Sequence, residues 1–143
     1  MGSKFTRFWQ LEGKDKLLFL QAVAWLAIAR IMLAANSFER LSEKLADGGQ
    51  STAVEPDPEE LRRLSYSISA AANNVPWRSD CFPQSIAARQ MLRRRGFPSI
   101  IHLGVERVGE ADLAGHAWLT CGEIVVTGDV DLDRYTELHR YPR

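Results

Sequence analysis

WRSDCFPQSIAARQMLRRRGFPSIIHLGV, running from Trp77 to Val105, changes its period once, and that change decides the fold. Val75-Pro76 stops whatever helix precedes it, because a residue before proline avoids the α region. Ser79 or Asp80 then caps a new helix, and Pro83 falls in its first turn, where a missing N–H costs little. Gly96 and Pro98 end that helix, with Arg93, Arg94 and Arg95 in the last turn, where cations are favoured. Beyond Gly96 the pattern is that of a strand, Ser99 to Val105.

Working outward, GHAWLTC (Gly115 to Cys121) and EIVVT (Glu123 to Thr127) read as two further strands joined by a tight turn at Gly122. The segment GDVDLDRYTEL reads as a polar exit loop, and HRYPR as a poorly ordered tail. On the N-terminal side, Pro58-Glu59-Glu60 opens a helix reaching about Asn74, with Leu61, Leu64, Ile68 and Ala71 or Ala72 as its apolar stripe. Asp47 to Glu60 collects Gly, Ser, Thr and Pro and reads as a linker. Residues 14–45 hold neither proline nor glycine and read as helix, with a break near Asn36-Ser37. Helices first and antiparallel strands after describe an α+β domain.

Bulk properties narrow the function. The chain has 143 residues and 45% apolar content, enough for one core. Its 18 basic and 18 acidic residues give no electrostatic case for nucleic acid. The start, MGSKFTRFW, is followed by no cleavable signal, so a reducing, cytoplasmic setting with Cys81 and Cys121 as free thiols is expected. Leu17 to Ala35 approaches the length of a membrane span, but Gln21 and Arg30 interrupt it, and a charge inside a span costs about 3 kcal/mol. Burial, or docking on a partner, is the favoured reading of that helix.

Cys81 falls at a helix start, where unpaired N–H groups and the dipole favour an anion and hence the thiolate. His116 lies mid-strand and shares a face with Trp118 and Thr120, opposite Ala117, Leu119 and Cys121. If the His116 face packs on the Cys81 helix, imidazole and thiol come within reach, with Asp129, or secondly Asp131, as the group that orients the ring. Zinc is not expected: His116 and Cys121 point to opposite faces, and no Cys-x-x-Cys or His-x-x-x-His pair exists. His102, between Ile101 and Leu103, is expected to face outward or edge the sheet.

Trp77, Cys81, the Ala/Leu/Arg-rich helix through Arg95, Gly96, Pro98, Val105 and His116-Ala117-Trp118, in this order, resemble the transglutaminase-like superfamily. More narrowly they resemble the free-standing leader peptidase of lasso-peptide biosynthesis, the peptidase part of the B protein. KDKLLFLQAVAWLAIARIML followed by SFERL is similar to the helical lead-in of that family, so the resemblance covers nearly the whole chain. It implies a papain-like Cys-His-Asp triad of Cys81, His116 and Asp129 on an α+β core, with no cofactor. It divides the chain into a helical lead-in (1–46), a linker (47–58) and the peptidase core (59–143).

The implied substrate is the leader region of a lasso precursor, held by a separate recognition protein, with a lasso cyclase of the asparagine-synthetase type acting afterwards. The apolar N-terminal helices are then a docking surface for these partners or for the leader. Trp77 and Trp118 are expected to wall the cleft, and Gln84 to offer an oxyanion donor beside the backbone N–H groups at the Cys81 helix start. The same triad would equally serve a transglutaminase-like amidase or acyltransferase on another substrate. A scaffold with an inert Cys81, and a membrane-anchored interaction protein, are the non-catalytic alternatives.

Overall fold

The computed structural model describes residues 13–46, 55–77 and 79–141. The basic, aromatic start and most of the expected linker lie outside the described residues. Four helices come first: α1 (Gly13–Ala35), α2 (Phe38–Ala46), α3 (Pro58–Asn74) and α4 (Cys81–Arg94). Four antiparallel strands follow, β1 (Ile100–Val108), β2 (Asp112–Cys121), β3 (Ile124–Thr127) and β4 (Thr136–Tyr141), in the spatial order β3-β2-β1-β4. A short 3₁₀ turn, Leu132–Arg134, leads into β4. The molecule is an α+β domain.

The helix ends follow from local chemistry. At the break between α1 and α2, Asn36 returns both its backbone N–H (3.1 Å) and its side-chain amide (2.9 Å) to the Met32 carbonyl. The Ser37 hydroxyl then accepts from the Arg40 N–H at 3.3 Å, which starts α2. Asp57 caps α3 by accepting from the Glu59 N–H at 3.1 Å, with Pro58 in the first turn. α4 closes with the Phe97 N–H returned to the Leu92 carbonyl at 3.0 Å and that of Gly96 to Arg93 at 3.0 Å, the pattern expected of a glycine after a helix end.

One core joins all layers. Leu18, Ala22, Leu26 and Ala29 of α1 meet Leu61, Leu64, Ile68 and Ala71 of α3, Ile86, Met91 and Leu92 of α4, and Ile101, Leu119, Cys121 and Val126 of the sheet. By length and apolar content α1 is a helix that passes for a membrane span, yet one of its faces is built into this core. Each leucine so buried is worth about 2 kcal/mol relative to exposure. Trp25 on α1 also carries the Arg94 guanidinium 5.2 Å above its ring.

Two sequence expectations are corrected by strand pairing. Thr136–Tyr141 is no loose tail: it pairs with β1, and Tyr141 is 4% exposed with its hydroxyl 2.9 Å from Ser42 Oγ. The helix-facing side of β2 is Ala117, Leu119 and Cys121, because these small and apolar side chains supply the core. His116, Trp118 and Thr120 therefore lie on the side away from the helices.

His102 shares that outer side, as its pairing with Trp118 requires, but it is only 8% exposed. It bonds Glu137 through Nδ1 and Thr120 Oγ1 through Nε2 (2.8 Å), and stacks on Trp118 at 5.2 Å. Partial burial pushes the Glu137 carboxyl up, but hydrogen bonds from His102 and Arg140 outweigh it and hold the group below the ordinary glutamate range. A depressed carboxylate stabilises the fold fully above its ordinary pKa and loses that contribution as pH falls through the folded value. Glu137→Gln is therefore expected to lower stability at and above neutrality, to change it little in acid, and so to flatten the acid limb of a stability-against-pH curve measured by urea unfolding.

Candidate active site

Cys81 is the first residue of α4, and Asp80 before it is extended, with φ −75° and ψ −169°. The first intrahelical bond, from the Gln84 N–H to the Asp80 carbonyl at 3.1 Å, leaves the N–H groups of Cys81 and Phe82 ahead of it, and Pro83 has none. The Cys81 thiol is half-buried, and its sulfur accepts from the Ala117 N–H at 3.4 Å. That nitrogen belongs to the peptide link between His116 and Ala117. α4 thus delivers the sulfur to the strand residue adjoining the histidine.

His116 Nε2 lies 2.8 Å from the Gly128 carbonyl oxygen. A carbonyl only accepts, so Nε2 carries the hydrogen and Nδ1 of the neutral ring keeps its lone pair. Among the described residues Nδ1 has no hydrogen-bond partner, and no hydrogen bond joins His116 to Cys81. The ring is thus held with Nδ1 as its lone-pair nitrogen, one residue along β2 from the N–H that meets the Cys81 sulfur.

Gly128 makes this possible. Its φ is +73°, and a Cβ there would stand 2.5 Å from the Ala117 carbonyl oxygen and 2.8 Å from Trp118 Cβ. Only glycine lets the chain after β3 lie this close to β2. Rings complete the wall: Trp118 is 6.0 Å from His116 by centroids, inclined at 18°, and Tyr135 is 4.9 Å away at 30°. Gly104 on β1 leaves room for Trp118, since a Cβ there would come within 3.0 Å of its ring. Arg134 clasps Glu106 with two bonds of 2.8 and 2.7 Å, tying the segment before Tyr135 to β1.

The remaining expected residues fall as follows. Asp129 and Asp131 are exposed, and among the described residues neither carboxylate is hydrogen-bonded to His116. Gln84 spends its side-chain N–H on the Ser79 carbonyl at 2.9 Å, bracing the approach to Cys81. Trp77 is half-buried against the core, and among the described residues its buried indole N–H has no hydrogen-bond partner. Tyr135 and the Gly128 carbonyl are the site groups that sequence reasoning missed. Gly128 itself carried a signal, as a glycine directly after a strand and before the acid already under consideration. The groove lined by Lys14, Leu17, Gln21, Asp57, Glu60 and Arg63 involves other elements than this site.

Cys121 is the contrasting thiol. It is 1% exposed, and burial pushes its pKa up, away from the reactive thiolate. Under brief iodoacetamide treatment of the native protein, Cys81 is expected to be modified and Cys121 to react only after unfolding, as read by peptide mass mapping.

The arrangement thus joins a half-buried thiol at a helix start to the strand residue next to an imidazole of defined tautomer. The model of a family described as the transglutaminase-like superfamily matches residues 20–140. No curated protein and no solved structure matches the chain.

Proposed function

We propose that this chain, which belongs to the transglutaminase-like superfamily, is a cysteine peptidase that removes the leader from a lasso-peptide precursor in the cytoplasm. The observation that carries the catalytic reading is the placement of the Cys81 sulfur 3.4 Å from the nitrogen of the His116–Ala117 peptide, with His116 Nδ1 left as the basic nitrogen. The order of motifs from Trp77 to Trp118 supports the narrower substrate. The leader is presented by a separate recognition protein, and a cyclase closes the ring on the released core peptide.

In the reaction, His116 Nδ1 takes the thiol proton and the sulfur attacks the scissile carbonyl. The N–H groups of Cys81 and Phe82, ahead of the first helical bond, stabilise the oxyanion, a contribution of about 3 kcal/mol per donor in comparable sites. Collapse of the intermediate expels the core-peptide amine, which takes the proton from His116 and leaves a leader thioester on Cys81. Water, deprotonated by His116, then attacks the thioester. The leader leaves with a free carboxylate, and the proton returns to the thiolate.

The test is incubation of a lasso precursor with its recognition protein and this protein in ¹⁸O-labelled water, read by mass spectrometry. A leader carrying one heavy oxygen at its new carboxylate is the expected product. A leader joined to an added amine would make the chain an acyltransferase, and an uncut precursor in the presence of folded protein would remove the peptidase reading.

A further inference from the structure

We propose that α1 is the interface through which two copies of this chain associate, its outer face pairing antiparallel with the same face of the second copy. Leu17 (58% exposed), Leu20 (54%), Ile28 (41%) and Ile31 (64%) stand outward from the core-facing residues Leu18, Ala22, Leu26 and Ala29. Ala24 lies exposed in their midst. The five positions share one helical face, and the steps between them are three, four, four and three residues, symmetric about Ala24. A two-fold axis through Ala24 sets Leu17 against Ile31 and Leu20 against Ile28 of the second copy, with small residues meeting where the helices cross. Self-complementarity of this kind is what an isologous contact requires and what a foreign partner does not.

Charge agrees with the antiparallel sense. Lys14 is exposed in the first turn of α1, and the last turn has no basic residue of its own. In the pair, Lys14 falls beside the C-terminal end of the other α1, where a cation is favoured. Among the described residues, the tryptophan of α1 is not free to anchor that stripe at a lipid surface, because Trp25 is engaged by Arg94. From Leu17 to Ile31 the stripe runs for about 21 Å. One helix pair of that length falls short of the roughly 800 Å² per partner of a standard interface, so the dimer is of the weak, concentration-dependent kind.

The experiment uses the full chain and does not depend on the peptidase reading. Sedimentation over a concentration series is expected to show monomer giving way to dimer, and Leu20→Glu to keep the wild-type circular dichroism but remain monomeric. In a Cys81→Ala background, Ala24→Cys is expected to form a covalent dimer under mild oxidation. Leu17→Cys is expected to cross-link efficiently only when mixed with Ile31→Cys. A wild type that stays monomeric throughout, whether or not its α1 face binds phospholipid vesicles or a recognition protein, overturns the proposal. So does a dimer indifferent to Leu20→Glu, or a Leu17→Cys variant that cross-links to itself as well as to Ile31→Cys.

Discussion

Replacing Cys81 by alanine is expected to abolish leader removal, lowering kcat by about four orders of magnitude or more, with the fold intact. The size follows from the chemistry. Without the sulfur no thioester forms, and the oxyanion donors at the start of α4 have only an unassisted water attack to stabilise. The fold survives because the thiol is half-buried and, among the described residues, its hydrogen bond from the Ala117 N–H is to a weak acceptor. Unfolding by urea is expected to shift by about 1 kcal/mol or less. The companion Cys121→Ala moves the other quantity: it empties part of the core at a 1% exposed position, so stability falls while cleavage by the folded fraction persists.

The second large effect is expected at Gly128. Alanine there must adopt φ +73° and place its Cβ 2.5 Å from the Ala117 carbonyl oxygen. The left-handed conformation costs about 1–2 kcal/mol and the overlap about 1–3 more. The chain relieves this only by moving Gly128 off β2, which withdraws the carbonyl holding His116 Nε2. Gly128→Ala is therefore expected to lose about 2–5 kcal/mol of stability and, in the fraction that folds, a hundredfold or more of kcat. Asp129→Asn, by contrast, leaves the Gly128 carbonyl in place and is expected to cost tenfold or less. A loss near ten-thousandfold in Asp129→Asn would instead make that carboxylate the orienting group during turnover. The pair of variants separates a backbone orienter from an acidic one.

Much of this fold is legible in residue types. Pro58, Val75-Pro76, Ser79-Asp80 and Gly96 punctuate the helices, and those signals are local, so α3, α4 and the break at Asn36 appear where the sequence places them. Cys81 at a helix start and His116 within a strand were readable for the same reason. Strand β4 was not, because T-E-L-H-R-Y carries no apolar run and is held by pairing with β1 and by the His102–Glu137 contact, both distant in sequence. The outward side of β2 was misjudged because the expected pairing of imidazole and thiol favoured the His116 face, whereas Ala117, Leu119 and Cys121 are the side chains that supply the core. Trp118 is buried all the same, under His102 and Tyr135 and over Gly104, in a small cluster of its own. The Gly128 carbonyl has no residue type at all, since any residue supplies a carbonyl and only backbone geometry aims it.

The central claim is covalent catalysis by Cys81, and the most direct measurement is the intact mass of the protein, acid-quenched within the first turnover of a lasso precursor presented by its recognition protein. A species heavier by the leader acyl group, with the added mass mapped to the peptide containing Cys81 and absent from Cys81→Ala, is the predicted result. Cleavage that proceeds with no such adduct, and equally fast in Cys81→Ala, would contradict it.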